Sequence, residues 1–169
     1  MKRYILLLLT TLLISTNAKA IYFDDDAVLQ QGYRGFADFS YTLGTGDFNF
    51  DRVSMSTSHG YQIAPQFFAG IGVGVNYYYD DESFGMPIFA HFRSDILTTD
   101  ITPYVDLKVG YSVFDVEGMY LNPSIGCRFS LSDRIGLNVG IGYTMQKADV
   151  YYFGKQNIGG VDFRFGIDF

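Results

Sequence analysis

The feature that most constrains this chain is an alternation with a period of two, clearest in its last stretch, Asn157 to Phe169, which reads N-I-G-G-V-D-F-R-F-G-I-D-F. Every second residue after Gly159 is large and apolar (Val161, Phe163, Phe165, Ile167, Phe169), and those between are Gly160, Asp162, Arg164, Gly166 and Asp168. Successive side chains of an extended backbone point to opposite faces, so this pattern predicts a strand with one greasy face and one small or charged face. Such a strand needs partners for its backbone and a dry neighbour for its greasy face.

The first twenty residues are of another kind. A basic start (Lys2, Arg3), an apolar run from Ile5 to Ile14 and the ending Ala18-Lys19-Ala20 predict a cleaved secretory signal peptide, 1–20. The run is too short for a membrane-spanning helix. Cleavage would remove three cations and no acid, taking the formal charge from −6 to −9. An acidic exported chain argues against a nucleic-acid partner. The roughly 149 residues left suit one domain, and the lone Cys127 permits no internal disulfide. Residues 21–30, with Asp24-Asp25-Asp26, show no period and are expected to be a lead segment.

From there the alternation recurs. Strands are predicted near 31–43, 51–62, 66–78, 87–97, 102–113, 119–130, 134–145 and 157–169, joined by hairpin connections. The third is the most regular: Phe67, Ala69, Ile71, Val73, Val75 and Tyr77 oppose Phe68, Gly70, Gly72, Gly74 and Asn76. Residues 79–86 and 146–156 are read as loops, the latter the longest and carrying Tyr151, Tyr152 and Phe153. Pro123 falls inside strand six, where its missing N–H predicts a bulge or a lost ladder bond. No helical period appears after residue 20, so the fold class is all-β: a closed antiparallel eight-stranded up-and-down barrel over residues 31–169.

Volume decides which face points inward. An eight-stranded barrel is only just wide enough for side chains to fill it, and five large apolar groups from each strand would not fit. The glycine-rich, charged face is therefore the lumen, and the apolar face meets something other than water. Ten to twelve residues per strand, at about 3.4 Å each and a tilt near 45°, span roughly 25 Å, the height of an outer-membrane apolar band. Tyrosines gather near strand ends (Tyr41, Tyr77, Tyr111, Tyr143), where interfacial girdles belong.

With its signal peptide, alternating strands and final phenylalanine, the mature chain resembles the small eight-stranded outer-membrane barrels of the OmpA-transmembrane and OmpX type, and the porin-family barrels of Bacteroidetes. The resemblance implies a Gram-negative outer-membrane location and contact with membrane lipid and lipopolysaccharide. It also implies insertion by the β-barrel assembly machinery, with Phe165, Ile167 and Phe169 as the assembly signal. The turns near Pro65, Thr99 and Ser132 would then lie in the periplasm and the other four connections outside.

The lumen face carries Arg34, Asp38, Arg52, His91, Arg93, Asp95, Asp106, Lys108, Arg128, Asp162, Arg164 and Asp168. Buried charges must pair. Hairpin adjacency predicts Arg93 and Asp95 beside Asp106 and Lys108, and barrel closure predicts Asp162 and Arg164 near Arg34 and Asp38. A salt-bridged plug with a structural or surface-interaction role is the expected function. A small-solute channel is the alternative, and a lipid A-modifying enzyme a lesser one. No enzyme is expected: His59, in S-T-S-H-G-Y, and His91, in A-H-F-R-S-D, form no His-x-Ser pair, and His59 falls on the lipid-facing parity. No cofactor or metal is expected, since ligand spacings of His and Cys are absent. Host or surface ligands would meet the outer loops, through Asp80, Asp81, Glu82, Asp115, Glu117 and 151–155.

Overall fold

The computed structural model describes residues 31–45, 50–79, 82–97, 99–132, 135–150 and 154–169, with the side chains of 148–150 and 154–156 excepted. The proposed signal peptide, the 21–30 lead, Asp80, Asp81 and Tyr151 to Phe153 lie outside these. Eight strands follow one another: β1 (Gly32–Thr45), β2 (Arg52–Ala64), β3 (Phe67–Tyr78), β4 (Ser83–Asp95), β5 (Ile101–Phe114), β6 (Glu117–Ser130), β7 (Gly136–Val150) and β8 (Gly154–Asp168). Each pairs antiparallel with the next, and β8 returns to β1, closing the barrel. Closure satisfies the edges that an open sheet would leave unpaired.

The closing seam runs from Phe36 opposite Asp168 to Thr45 opposite Gly159. It is extended by one more residue: the Gly35 N–H donates to the Phe169 carbonyl at 2.7 Å, and the Phe169 N–H returns to Gly35 at 3.0 Å. A Cβ at Gly35 would lie 2.6 Å from the Phe169 ring, so only glycine lets that ring lie against the strand.

The prolines mark the weak places in the wall. Across Asn122–Pro123 the β6–β7 pairing lapses, from Leu121 opposite Met145 to Ser124 opposite Gly142, yet the register is unchanged. Pro123 therefore costs ladder bonds without making a bulge, consistent with a residue that lacks a donor. Pro87 does the same between β3 and β4. A register shift does occur at Gln62/Ala64, where β2 turns into β3.

Two predicted loops shrink. β4 begins at Ser83 rather than Pro87, and 146–156 is mostly strand, because Gln146 opposite Ile158 through Val150 opposite Gly154 continue the β7–β8 ladder. Glycines and polar residues in both segments hid the continuation, since a hairpin standing above the barrel need not alternate greasy and polar. We call the end holding Gly32, Asp168 and the turns at 65–66, 96–100 and 131–135 the base, and the opposite end the crown.

The greasy face points outward. Ile71 is 73 % exposed and Phe165 54 %, whereas His91, Asp95 and Ser112 are 0 % exposed in the interior. For a chain in water this distribution would forfeit most of its hydrophobic stabilisation.

Candidate functional site

The lumen is filled in three tiers. At the base, Asp95 and Asp168 are shared among three guanidiniums. Arg34 reaches Asp95 at 2.8 Å and Asp168 at 3.2 Å; Arg93 donates to Asp95 at 2.8 Å, and Arg128 to Asp168 at 3.0 Å. Gln62 accepts from Arg34 at 2.9 Å and Asn138 donates to Asp168 at 2.8 Å. The flat face of Arg93 lies 3.7 Å from the Tyr104 ring centroid, a cation–π contact that partly replaces its lost hydration.

The middle tier is held by contacts across the barrel. The Lys108 ammonium on β5 donates to Asp38 on β1 at 2.7 Å. Arg164 on β8 donates to Asp106 on β5 at 3.2 Å and Asp162 at 3.3 Å, and also to Asn122 and Ser124 on β6. His91 bridges Ser58 at 2.7 Å and Asp106 at 2.9 Å, between the rings of Phe36 and Phe68. The composition is that of a serine–histidine–aspartate relay, but Ser58 is only 1 % exposed and His91 fully buried, so no substrate bond can reach the hydroxyl. Period-two reading could not find Ser58 and His91 together, because they lie on strands that are not neighbours.

The adjacency expected from hairpins and closure holds for the backbone, but several bonded partners lie elsewhere. Arg93 is opposite Asp106 in register, and His91 opposite Lys108, yet the side chains choose other partners. Asp162 meets Thr42 rather than Arg34, and Asp38 is taken by Lys108. Register keeps Asp162 on Thr42, its partner across the seam, whereas Lys108 and Arg34 reach past their register neighbours to other strands.

The lumen glycines explain how so much fits. A Cβ at Gly126 would lie 2.5 Å from the Tyr104 ring, and one at Gly72 2.5 Å from Phe89. These two glycines are seats for the aromatic rings of their register partners on the neighbouring strand. Phe36, Phe68, Phe89, Tyr104 and Tyr120 are thus interior side chains, although Phe36 carries no polar group to mark it as such.

The crown tier differs. Arg52 donates to Thr42 at 3.3 Å and to the Tyr78 hydroxyl at 3.1 Å, and no carboxylate among the described residues forms an ion pair with it. Above it Tyr78, Val116 and Ile158 form a small apolar cluster with Phe50 packed on it. Val116 is carried there by the β5–β6 turn, where Phe114 takes a left-handed φ of 77°, a conformation a bulky residue adopts only under constraint.

On the exterior, His59 has both nitrogens occupied. The Thr57 hydroxyl donates to the Phe36 carbonyl at 3.0 Å. His59 Nε2 must therefore be the donor to Thr57 Oγ1 at 3.0 Å, and Nδ1 is hydrogen-bonded to the Tyr33 hydroxyl at 2.6 Å. These two bonds explain a histidine on the greasy face. Its ring also meets Phe169 edge-on at 6.3 Å between centroids. Phe165, Ile167 and Phe169 all face outward at the base end of β8. Among the described residues no three His, Cys, Asp or Glu side chains gather as a metal site.

No family model matches the chain, and no curated protein matches it. Solved structures do. The chain is similar to the crystal structure of Neisserial surface protein A (NspA), with a TM-score of 0.69 at 14 % identity, covering 82 % of this chain and 97 % of that one. A structure from a de novo design of transmembrane β-barrels also aligns, at 14 % identity over 80 % of this chain and 95 % of its own, with a TM-score of 0.47. At such identity the NspA likeness shows a shared fold: the chain has the closed eight-stranded antiparallel architecture of transmembrane barrels.

Proposed function

We propose that this protein is a bacterial outer-membrane barrel that serves a structural or surface-interaction role, with a lumen closed to solute flow. The carrying observation is the Lys108–Asp38 pair at 2.7 Å, which joins strands on opposite sides of the barrel. An ion pair spanning the bore leaves no continuous wide passage, and the tiers on either side thicken the obstruction. The membrane location rests on the outward apolar face, which only hydrocarbon solvates without cost. Export through the 1–20 signal peptide, insertion by the barrel assembly machinery through Phe165, Ile167 and Phe169, and contact with lipid and lipopolysaccharide belong to the same reading. Kinship with the OmpA and OmpX type, or with the Bacteroidetes porin-family barrels, is its finer form.

A surface ligand would meet the crown, where Asp51 and Glu117 accept from Tyr41 and Tyr111 and Asp115 from the Phe84 N–H. We propose no catalytic role, because His59 is committed to its hydroxyl partners and His91 is enclosed. Single-channel recording of the purified, refolded protein in planar bilayers tests the proposal. Steady steps are expected to be absent; large ohmic steps in every insertion would overturn the closed lumen.

A further inference from the structure

The outward wall holds a groove of about 530 Å³ with an almost wholly apolar lining. It crosses β8, β1, β2 and β3, and its outward side chains are smallest at the register pair Ala37–Thr57, set among the larger Phe39, Phe165, Ile167 and Val73. A space of this size accommodates a ligand rather than a solvent molecule.

Tyrosines set its depth. On β1 the outward Tyr33 and Tyr41 are 64 % and 37 % exposed, and such rings mark the two interfacial girdles of a membrane barrel. Ala37 is midway between them, so the groove lies within the hydrocarbon band. From the base upward the β1–β2 pair presents Tyr33–Tyr61, Gly35–His59, Ala37–Thr57 and Phe39–Met55 to the outside. The second step is polar: His59 is exposed and bonded to the Tyr33 hydroxyl at 2.6 Å and to Thr57 Oγ1 at 3.0 Å. The β6–β7 pair reads Phe129–Leu137, Cys127–Val139 and Ile125–Ile141 in the same direction, with no histidine or tyrosine. An ionisable side chain just inside a lipid-facing girdle is costly, and marks a functional site.

Thr57 joins the two features, since it lines the groove and bonds His59. An interfacial ring pair, a hydrogen-bonded neck and an apolar hollow follow one another in the order of headgroup, ester oxygens and chain in a membrane lipid. A second copy of the barrel fits less well, because a two-fold contact centred here would set hollow against hollow. The neck is built from hydroxyls, an imidazole and a carbonyl, and these offer no permanent cation to grip the phosphates of lipid A. We propose that the groove is a site for one glycerophospholipid of the base-side leaflet. One acyl chain lies over Ala37 and Thr57, and the Tyr61 hydroxyl, on a side chain 57 % exposed, donates to an ester carbonyl. The inference rests on the membrane location proposed for the apolar face.

The test uses the full chain refolded into vesicles of phosphatidylethanolamine and phosphatidylglycerol doped with lipid A, then released in mild nonionic detergent for native mass spectrometry. A parallel sample carries a phospholipid with a diazirine on its acyl chain, and peptide mapping locates the photoadducts. The expected result is one retained phospholipid per chain, with adducts concentrated on 37–39 and 55–57 rather than 137–141. Ala37→Trp, which fills the hollow, should abolish both, and Ala37→Leu should weaken both if the larger change prevents folding. Tyr61→Phe should raise the half-saturating concentration of phosphatidylglycerol, titrated into delipidated protein, several-fold. No retained lipid, lipid A in its place, or adducts spread evenly round the wall overturns the proposal. So does retention that survives in a folded Ala37→Trp protein, or a dimer that this substitution dissociates. A chain that fails to enter the vesicles removes the membrane location as well; insertion without a retained lipid removes only the occupant of the groove.

Discussion

The base and the crown of this barrel solve the problem of interior polarity in opposite ways. At the base, two carboxylates are each held by two guanidiniums, with Gln62 and Asn138 completing the shell. At the crown, one guanidinium rests on hydroxyls and is roofed by aliphatic and aromatic groups. The base is tight because its charges neutralise one another through short bonds. The crown depends on exclusion of water by Val116, Ile158 and Phe50. The contrast teaches that a polar lumen can be sealed by either route, and that the two should respond differently to substitution.

The largest effect is expected from Asp168→Ala, which leaves Arg34 and Arg128 short of a counter-charge. Unpairing a buried ion pair costs about 3–5 kcal/mol, read as a fall in the urea unfolding free energy in vesicles; a loss under ~1 kcal/mol would mean that the base is not held by its charges. Next is the middle tier. Lys108→Met alone should cost about 3 kcal/mol, while the double variant with Asp38→Leu should recover most of it, since replacing both partners by apolar groups is often neutral. Equal losses in single and double variants would break the pairing argument.

Gly35→Leu forces the Phe169 ring off the closing seam and should cost about 1–3 kcal/mol by overpacking, with slower appearance of the folded band on unheated gels. At the crown, Ile158→Val removes one methylene from the lid and should cost about 1 kcal/mol. It should also hasten hydrogen exchange at crown amides and leave the base unchanged. Uniform acceleration along the barrel would erase the distinction between the two ends.

Much of this was legible in the residues. The third strand's alternation of Val73 and Val75 with Gly72 and Gly74 predicted both its extent and its orientation, and the volume of the greasy set predicted that it would face out. Polar parity likewise selected the charged residues that line the bore. The crown hairpins were not legible, because Gln146–Val150 and Gly154–Ile158 continue a ladder above the level where any face must be greasy.

What the amino-acid order determined by itself is the strand count, the hand of each residue (in or out) and the sign of the charges inside, since a period of two is a local property of extended backbone. Apart from Arg93–Asp95 and Arg164–Asp162, which lie two residues apart on one strand, the ion-pair partners were decided only by the closed tertiary structure. Arg34 finds Asp95 three strands away, and Lys108 finds Asp38 across the bore. Curvature of a narrow tube brings side-chain ends together that no strand register makes adjacent, and glycines on neighbouring strands give the interior rings room.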